Sequence, residues 1–240
     1  MTKPKSNSIL LSADTSDEFS RALERLDVQV PSRAEMRTTD HVERHTVARL
    51  LTTLPKDRFD YPLSISHGDT PDFRLTMGSR TVGIEHTEGI TENEAHAQAL
   101  RAKGNGPSVY FVPHPKLVEA KKSSKQLILE IQADEPSEPW FGDSAERDWA
   151  QFMRHFLQRK AVAFNRSEFE KFSQNWLVIY DNLPLPHVDL EKAAALLFEN
   201  LNSTDGFSDF DHIFVVSGQD VCEFSIHGQT IHRSAALTTE

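Results

Sequence analysis

The chain has 240 residues, enough for one well-buried core or two small domains, and its 26 Lys and Arg against 36 Asp and Glu leave a net charge of −10. That balance argues against generic attraction of the whole surface to nucleic acid, while leaving room for a local basic groove. The single Cys222 excludes an intramolecular disulfide framework, and no apolar run reaches the length of a signal core or a membrane span, so a cytoplasmic protein without a membrane partner is expected.

Residues 1–35 are rich in Ser, Thr, Asp and Lys around one short amphipathic piece at 18–26, and read as an N-terminal arm or a short docking helix with a frayed start, ahead of a single domain over 36–240. A helix is expected from Thr39 or Asp40, either of which can cap it, carrying Val42, Val47, Leu50, Leu51 and Leu54 as far as Pro55. Residues 61–66 read as a strand.

The segment 70–88 is the most informative. Gly78-Ser79 suits a two-residue II′ turn, because Gly tolerates the positive φ required there. A hairpin centred on it pairs Met77 with Arg80, Leu75 with Val82, Phe73 with Ile84, and Asp72 with Glu85. One face is then wholly apolar (Phe73, Leu75, Val82, Ile84), and the other carries Asp72, Arg74, Thr76, Thr81, Gly83, Glu85 and Thr87. A one-residue slip would destroy the separation, which fixes the register. Directly opposed residues stand about 4.5–5.5 Å apart at Cβ, and like charges there repel. A divalent cation would offset that repulsion.

Beyond the hairpin, residues 93–103 are Ala-rich and helical, stopped by Gly104-Asn105-Gly106. Residues 108–112 read as a short strand. The stretch at about 107–143 holds several Pro and a Lys cluster (Lys116, Lys121, Lys122, Lys125) around Leu127-Ile128-Leu129, and reads as an insertion or flap. From Asp143 a long helix opens with a capping box to Glu146, and its stripe is Trp149, Phe152, Met153, Phe156, Leu157 and Phe164. Lys160 falls on that stripe and points inward, where a Lys is rare unless paired, so either a carboxylate cluster pairs it or it snorkels to water along its stem. Residues 176–180 are nearly all apolar, the mark of a strand covered on both faces. A helix at 189–201 and a strand at 212–216 complete a strand–helix–strand unit with a right-handed crossover. Residues 221–232 form a hairpin turning at His227-Gly228. The sum is a mixed α/β domain, an antiparallel hairpin feeding a partly parallel sheet.

Pro71-Asp72, followed a hairpin later by Glu85-His86-Thr87, resembles the signature of the PD-(D/E)XK, or restriction-endonuclease-like, phosphodiesterases. The resemblance implies a helix, three antiparallel strands, a helix and a further strand over roughly residues 39–217, a mixed sheet flanked by helices. It implies Asp72 and Glu85 as ligands of Mg²⁺ or Mn²⁺, with the backbone carbonyl of His86 as a further ligand. Hard cations want oxygen ligands, and Mg²⁺ keeps several waters, so two carboxylates suffice. The signature's Lys falls on Thr87, which cannot supply a cation. Family members with a Lys moved to a neighbouring helix offer Lys160 as a substitute, and related nucleases often place a third acid where Glu43 stands, which a solvated charge on the outer helix face explains equally well.

Other constellations carry less. His41 and His45 have the i, i+4 spacing that grips Zn²⁺, but Glu43 occupies the wrong position for a metalloprotease motif. Asp181 ends the buried strand, where ligands gather in α/β sheets, and an Asx turn explains it equally well. Trp140-Phe141 offers stacking to a base or a partner, or simple packing. No phosphate-binding Gly-rich loop and no nucleophile elbow is present. The expected function is metal-dependent hydrolysis of DNA, with Asp72 and Glu85 on the cation, Lys160 and Glu43 assisting, and the Lys cluster contacting phosphates. The alternative is a catalytically inactive nuclease-fold protein with a binding or regulatory role; a homodimer or a protein partner is compatible with either.

Overall fold

A computed structural model describes residues 8–166 and 170–234. Among the described residues, eight strands lie in one sheet in chain order: β1 (Ser8–Ala13), β2 (Leu63–His67), β3 (Phe73–Met77), β4 (Arg80–Gly89), β5 (Gln174–Asp181), β6 (His212–Ser217), β7 (Asp220–Ser225) and β8 (Gly228–His232). The first four pair antiparallel, β4–β5 and β5–β6 pair parallel, and β6–β7–β8 are again antiparallel. Parallel neighbours need a crossover, and helices supply both. The link from β4 to β5 runs through α3 (Glu92–Ala102), α4 (Ser124–Ala133) and α5 (Ser144–Phe164), and the link from β5 to β6 through α6 (Leu190–Asn202).

The sheet separates two cores. One face packs on α1 (Ser16–Glu24) and α2 (Thr39–Thr53), burying Phe19, Val47, Leu50 and Leu51 against Ile65, Leu75, Val82 and Ile84. The other packs on α5 and α6, burying Trp149, Met153, Phe156 and Leu197 against Leu177, Ile179 and Val215. The continuous apolar run of β5 is thereby explained: Trp176 and Val178 enter the first core, Leu177 and Ile179 the second.

Three expectations are corrected. Of the arm and the docking helix, residues 8–24 take the helix, α1, with Phe19 buried in the first core, and add an unexpected strand, β1, which extends the sheet beside β2 and buries Leu11 and Ala13. Residues 108–112 form no strand; Val109, Tyr110, Phe111 and Val112 stay exposed. A short apolar run needs a sheet edge to pair with, and the edges of this sheet are β1 and β8. Asp143 precedes α5 without a side-chain cap bond, pairing instead with Arg147 Nη1 at 2.5 Å, while Glu146 accepts from the backbone N–H of Asp189 at 3.0 Å. Among the described residues, no helix is long and apolar enough to cross a membrane.

Candidate metal centre

The β3–β4 hairpin has the register that its hydrophobic alternation dictates: Met77 faces Arg80, Leu75 faces Val82, and Phe73 faces Ile84. Gly78 takes φ +56°, a conformation costly for any other residue. Phe73, Leu75, Val82 and Ile84 are fully buried. Strand alternation then turns Glu85 to the α5 side, where it is 1% exposed.

Asp72 stands just before β3 and is held at two points. Its Oδ2 accepts the backbone N–H of His86 at 2.7 Å, and its carbonyl accepts the N–H of Gly68 at 2.9 Å. The regular pairing therefore stops at Phe73, and the Asp72 side chain bridges toward β4 instead of standing opposite Glu85 in the ladder. Two residues before Glu85, Gly83 lets the sheet meet Phe172 closely; a Cβ there would lie 2.6 Å from the ring.

The third member arrives from α5. Lys160 continues the helical stripe of Trp149, Phe156 and Phe164, so the packing that buries those rings also drives its ammonium onto the sheet. Nζ lies 3.1 Å from Asp72 Oδ2 and 2.7 Å from Glu85 Oε2. Burial is the main influence on Glu85 and the nearby Asp72 adds to it; Lys160 opposes both, and the Glu85 carboxyl is pushed up to about 7. For Lys160, burial works against the charge, but Asp72 and Glu85 outweigh it and hold the ammonium above its ordinary pKa. One fixed cation thus serves two acids.

A hard cation fits this set. Glu85 Oε1 is buried and accepts no hydrogen bond, and Oε2 meets Lys160 only as an ion pair. A buried, unsatisfied carboxylate oxygen is costly, and an oxygen-seeking cation beside it relieves that cost. His86 enters through its backbone N–H on Asp72. Its imidazole has strand parity with Val82 and Ile84, away from Glu85. Burial drives its pKa down to about 4, so the ring is neutral, and Nε2 has no hydrogen-bond partner.

Glu43 lies across the sheet from Glu85, on α2, in a buried pair with His67 Nε2 at 2.7 Å. Asp40 completes a group with Glu43 and His67 whose ligand atoms lie within 4.8 Å of one another. His67 pairs with Phe73 across β2–β3, one residue from Asp72, so both clusters occupy the same end of the sheet on opposite faces. Sequence reasoning missed His67 and Asp40. The signals were present: Leu63, Ile65 and His67 share one strand parity, and Asp40 and Glu43 are one helical turn apart.

The remaining candidates are engaged elsewhere. His41 Nδ1 accepts the backbone N–H of Thr38 at 3.0 Å at the start of α2, and His45 Nδ1 bonds the Val28 carbonyl at 3.0 Å, so the two do not form a Zn²⁺ pair. Asp181 Oδ2 accepts from Trp149 Nε1 and Ser217 Oγ, each at 2.8 Å, and burial raises its pKa. In the Lys cluster, Lys121 pairs with Glu92, and Lys122 pairs with Glu119 and Glu130 at 2.8 Å each, while Lys116 and Lys125 are exposed. Trp140 stacks on His114 at 3.7 Å between ring centroids. Cys222 is buried, with its thiol pushed up to about 12, as befits a packing residue. No family model, curated protein or solved structure matches the chain.

Proposed function

We propose that the chain is a metal-dependent phosphodiester hydrolase acting on DNA, with a restriction-endonuclease-like core made of α2, β2, β3, β4, α5 and β5. The observation that carries the reading is Lys160, whose ammonium reaches both Asp72 and Glu85 from a neighbouring helix and supplies the charge that Thr87 lacks. In support, α2, β2, β3, β4, α5 and β5 follow one another along the chain as a helix, three strands, a helix and a strand, with α3 and α4 inserted between β4 and α5.

Asp72 and Glu85 would hold Mg²⁺ or Mn²⁺, which when bound supplies Lewis acidity toward a phosphate oxygen and lowers the pKa of a coordinated water. The His86 N–H fixes the orientation of Asp72, and burial dehydrates Glu85, so neither carboxylate needs to reorganise. Lys160 stays protonated and presents N–H donors at the same spot, where they stabilise charge developing on a phosphate.

Two features favour a second reading, a catalytically inactive nuclease-fold protein: Lys160 already offsets the two acids without a metal ion, and Lys121 and Lys122 are spent on internal pairs. The decisive experiment incubates supercoiled plasmid with the protein and Mg²⁺ or Mn²⁺. Nicking or linearisation that disappears in Asp72→Ala and in Glu85→Ala supports the enzyme. No cleavage, together with no metal-dependent thermal shift, refutes it and leaves the binding role.

A further inference from the structure

Beyond the metal centre, the outward face of α5 carries cations that the fold leaves unmatched. Leu117 packs on the second core and lays the segment 116–119 over α5, between two concavities. One, of about 350 Å³, lies between α5 and the start of α3; Lys116, Lys121, His155 and Arg159 line it together with Glu92 and Glu119. The other, of about 560 Å³, lies between α5 and α6 and is lined by Arg147, Arg154 and His155, with no Asp or Glu. Leu117 and His155 line both, so the two form one continuous groove.

The acids of this groove are already matched. Glu92 pairs with Lys121 and Glu119 with Lys122, while Arg147 pairs with Asp143. Among the described residues, Lys116, Arg154 and Arg159 enter no ion pair. Lys116 and Arg159 are exposed, and Arg154 is half-buried. Burial, and then the charge of Arg159, lower the pKa of His155, the response of a group with no carboxylate beside it. In a chain of net charge −10, this is an electropositive strip on an acidic molecule.

The shape narrows the partner. From Arg147 to Arg159 the helix axis advances about 18 Å, the rise of about five nucleotides of one DNA strand. A single phosphate or carboxylate would use one of these cations, whereas a regularly charged polymer uses them all. Gln151, Gln158 and Asn200 line the same groove and offer neutral donors to phosphate oxygens. Phe156 and Arg159 lie within a helical turn of Lys160, so one end of the groove adjoins the metal centre. We propose that this groove binds the sugar–phosphate backbone of duplex DNA, with Lys116, Arg154 and Arg159 on its phosphates. The choice of DNA among polyanions rests on the hydrolase reading; the assignment of the surface does not. Such contacts carry affinity without sequence information, so the groove holds DNA and does not select a site.

Fluorescence anisotropy of a short labelled duplex in EDTA, over a series of salt concentrations, measures binding without cleavage. Arg154→Gln combined with Arg159→Gln should weaken binding by about tenfold or more and lower the slope of log affinity against log salt by about 2. Arg80→Gln, at the β3–β4 turn, should leave the slope unchanged. With the unaltered protein, unlabelled duplex should displace the label far better than poly-glutamate of equal charge. The proposal is overturned if the duplex fails to bind at low salt, or if the double variant keeps the parent's affinity and slope. It is also overturned if poly-glutamate competes as well as DNA, which would make the partner an acidic protein surface; this comparison decides even if the double variant fails to fold. Binding that depends on these residues, without cleavage under Mg²⁺ or Mn²⁺, keeps the groove and removes the hydrolase. Cleavage that is indifferent to them does the reverse.

Discussion

The Lys160 ammonium on α5 stands 2.7 Å from Glu85 on β4, and the same nitrogen lies 3.1 Å from Asp72. Glu85 is almost wholly buried, so this contact is made in a poorly hydrated place where an unmatched charge is expensive. The geometry couples the helix on one side of the sheet to the irregular start of β3, and it makes the charge state of three residues a single property.

Lys160→Met should therefore act on stability and on catalysis together. Removing the cation leaves two acids facing each other, with an expected loss of about 3 kcal/mol in metal-free urea denaturation and loss of plasmid cleavage. Adding Thr87→Lys to that variant returns a cation to the same strand face as Glu85. Partial recovery of cleavage in the double variant would tie the role to charge at this spot; cleavage retained in Lys160→Met alone would remove Lys160 from the mechanism.

Neutralising one acid should be milder. Asp72→Asn or Glu85→Gln leaves one carboxylate matched to Lys160, so stability without metal should hold within about 1 kcal/mol of the parent. Denaturation curves check this, and a much larger loss in either variant would make that residue a structural anchor.

Metal should stabilise the parent and not these variants. At about one hundred times its dissociation constant, Mn²⁺ or Mg²⁺ should add roughly 2.7 kcal/mol, read as a rise in melting temperature. An equal rise in Glu85→Gln would locate the cation elsewhere, and the Asp40, Glu43 and His67 group on the opposite face would be tested next by His67→Ala.

A pH dependence follows from the far edge of the sheet. Glu223 accepts from His212 and His232 at 2.8 and 2.7 Å and pairs with Arg58 at 2.7 Å. Burial opposes its ionisation, but these three partners hold the carboxyl far below its ordinary value of 4.5. A carboxyl depressed on folding contributes stability above the unfolded pKa and loses it as pH falls below that value. Glu223→Gln should thus be less stable than the parent above pH 4.5, and the margin should shrink on further acidification. Melting curves from pH 3 to 7 give the comparison; a margin independent of pH would mean that the ion pairs contribute nothing on balance.

The sequence by itself determined what depends on local periodicity. Gly78-Ser79 with alternating Phe73, Leu75, Val82 and Ile84 set the hairpin register, because a slip by one residue would turn apolar side chains to the polar face. The unbroken apolar run of β5 announced a strand with a core on either side, and the inward stripe of α5 marked Lys160 as a residue needing a partner. Only the tertiary structure decided that β1 closes the sheet edge beside β2, that Glu43 spends itself on His67, and that Lys121 and Lys122 hold the insertion together. Side-chain direction is fixed within a turn or a strand, whereas pairing between distant segments is fixed by how helices dock on the sheet, and no local pattern encodes that distance.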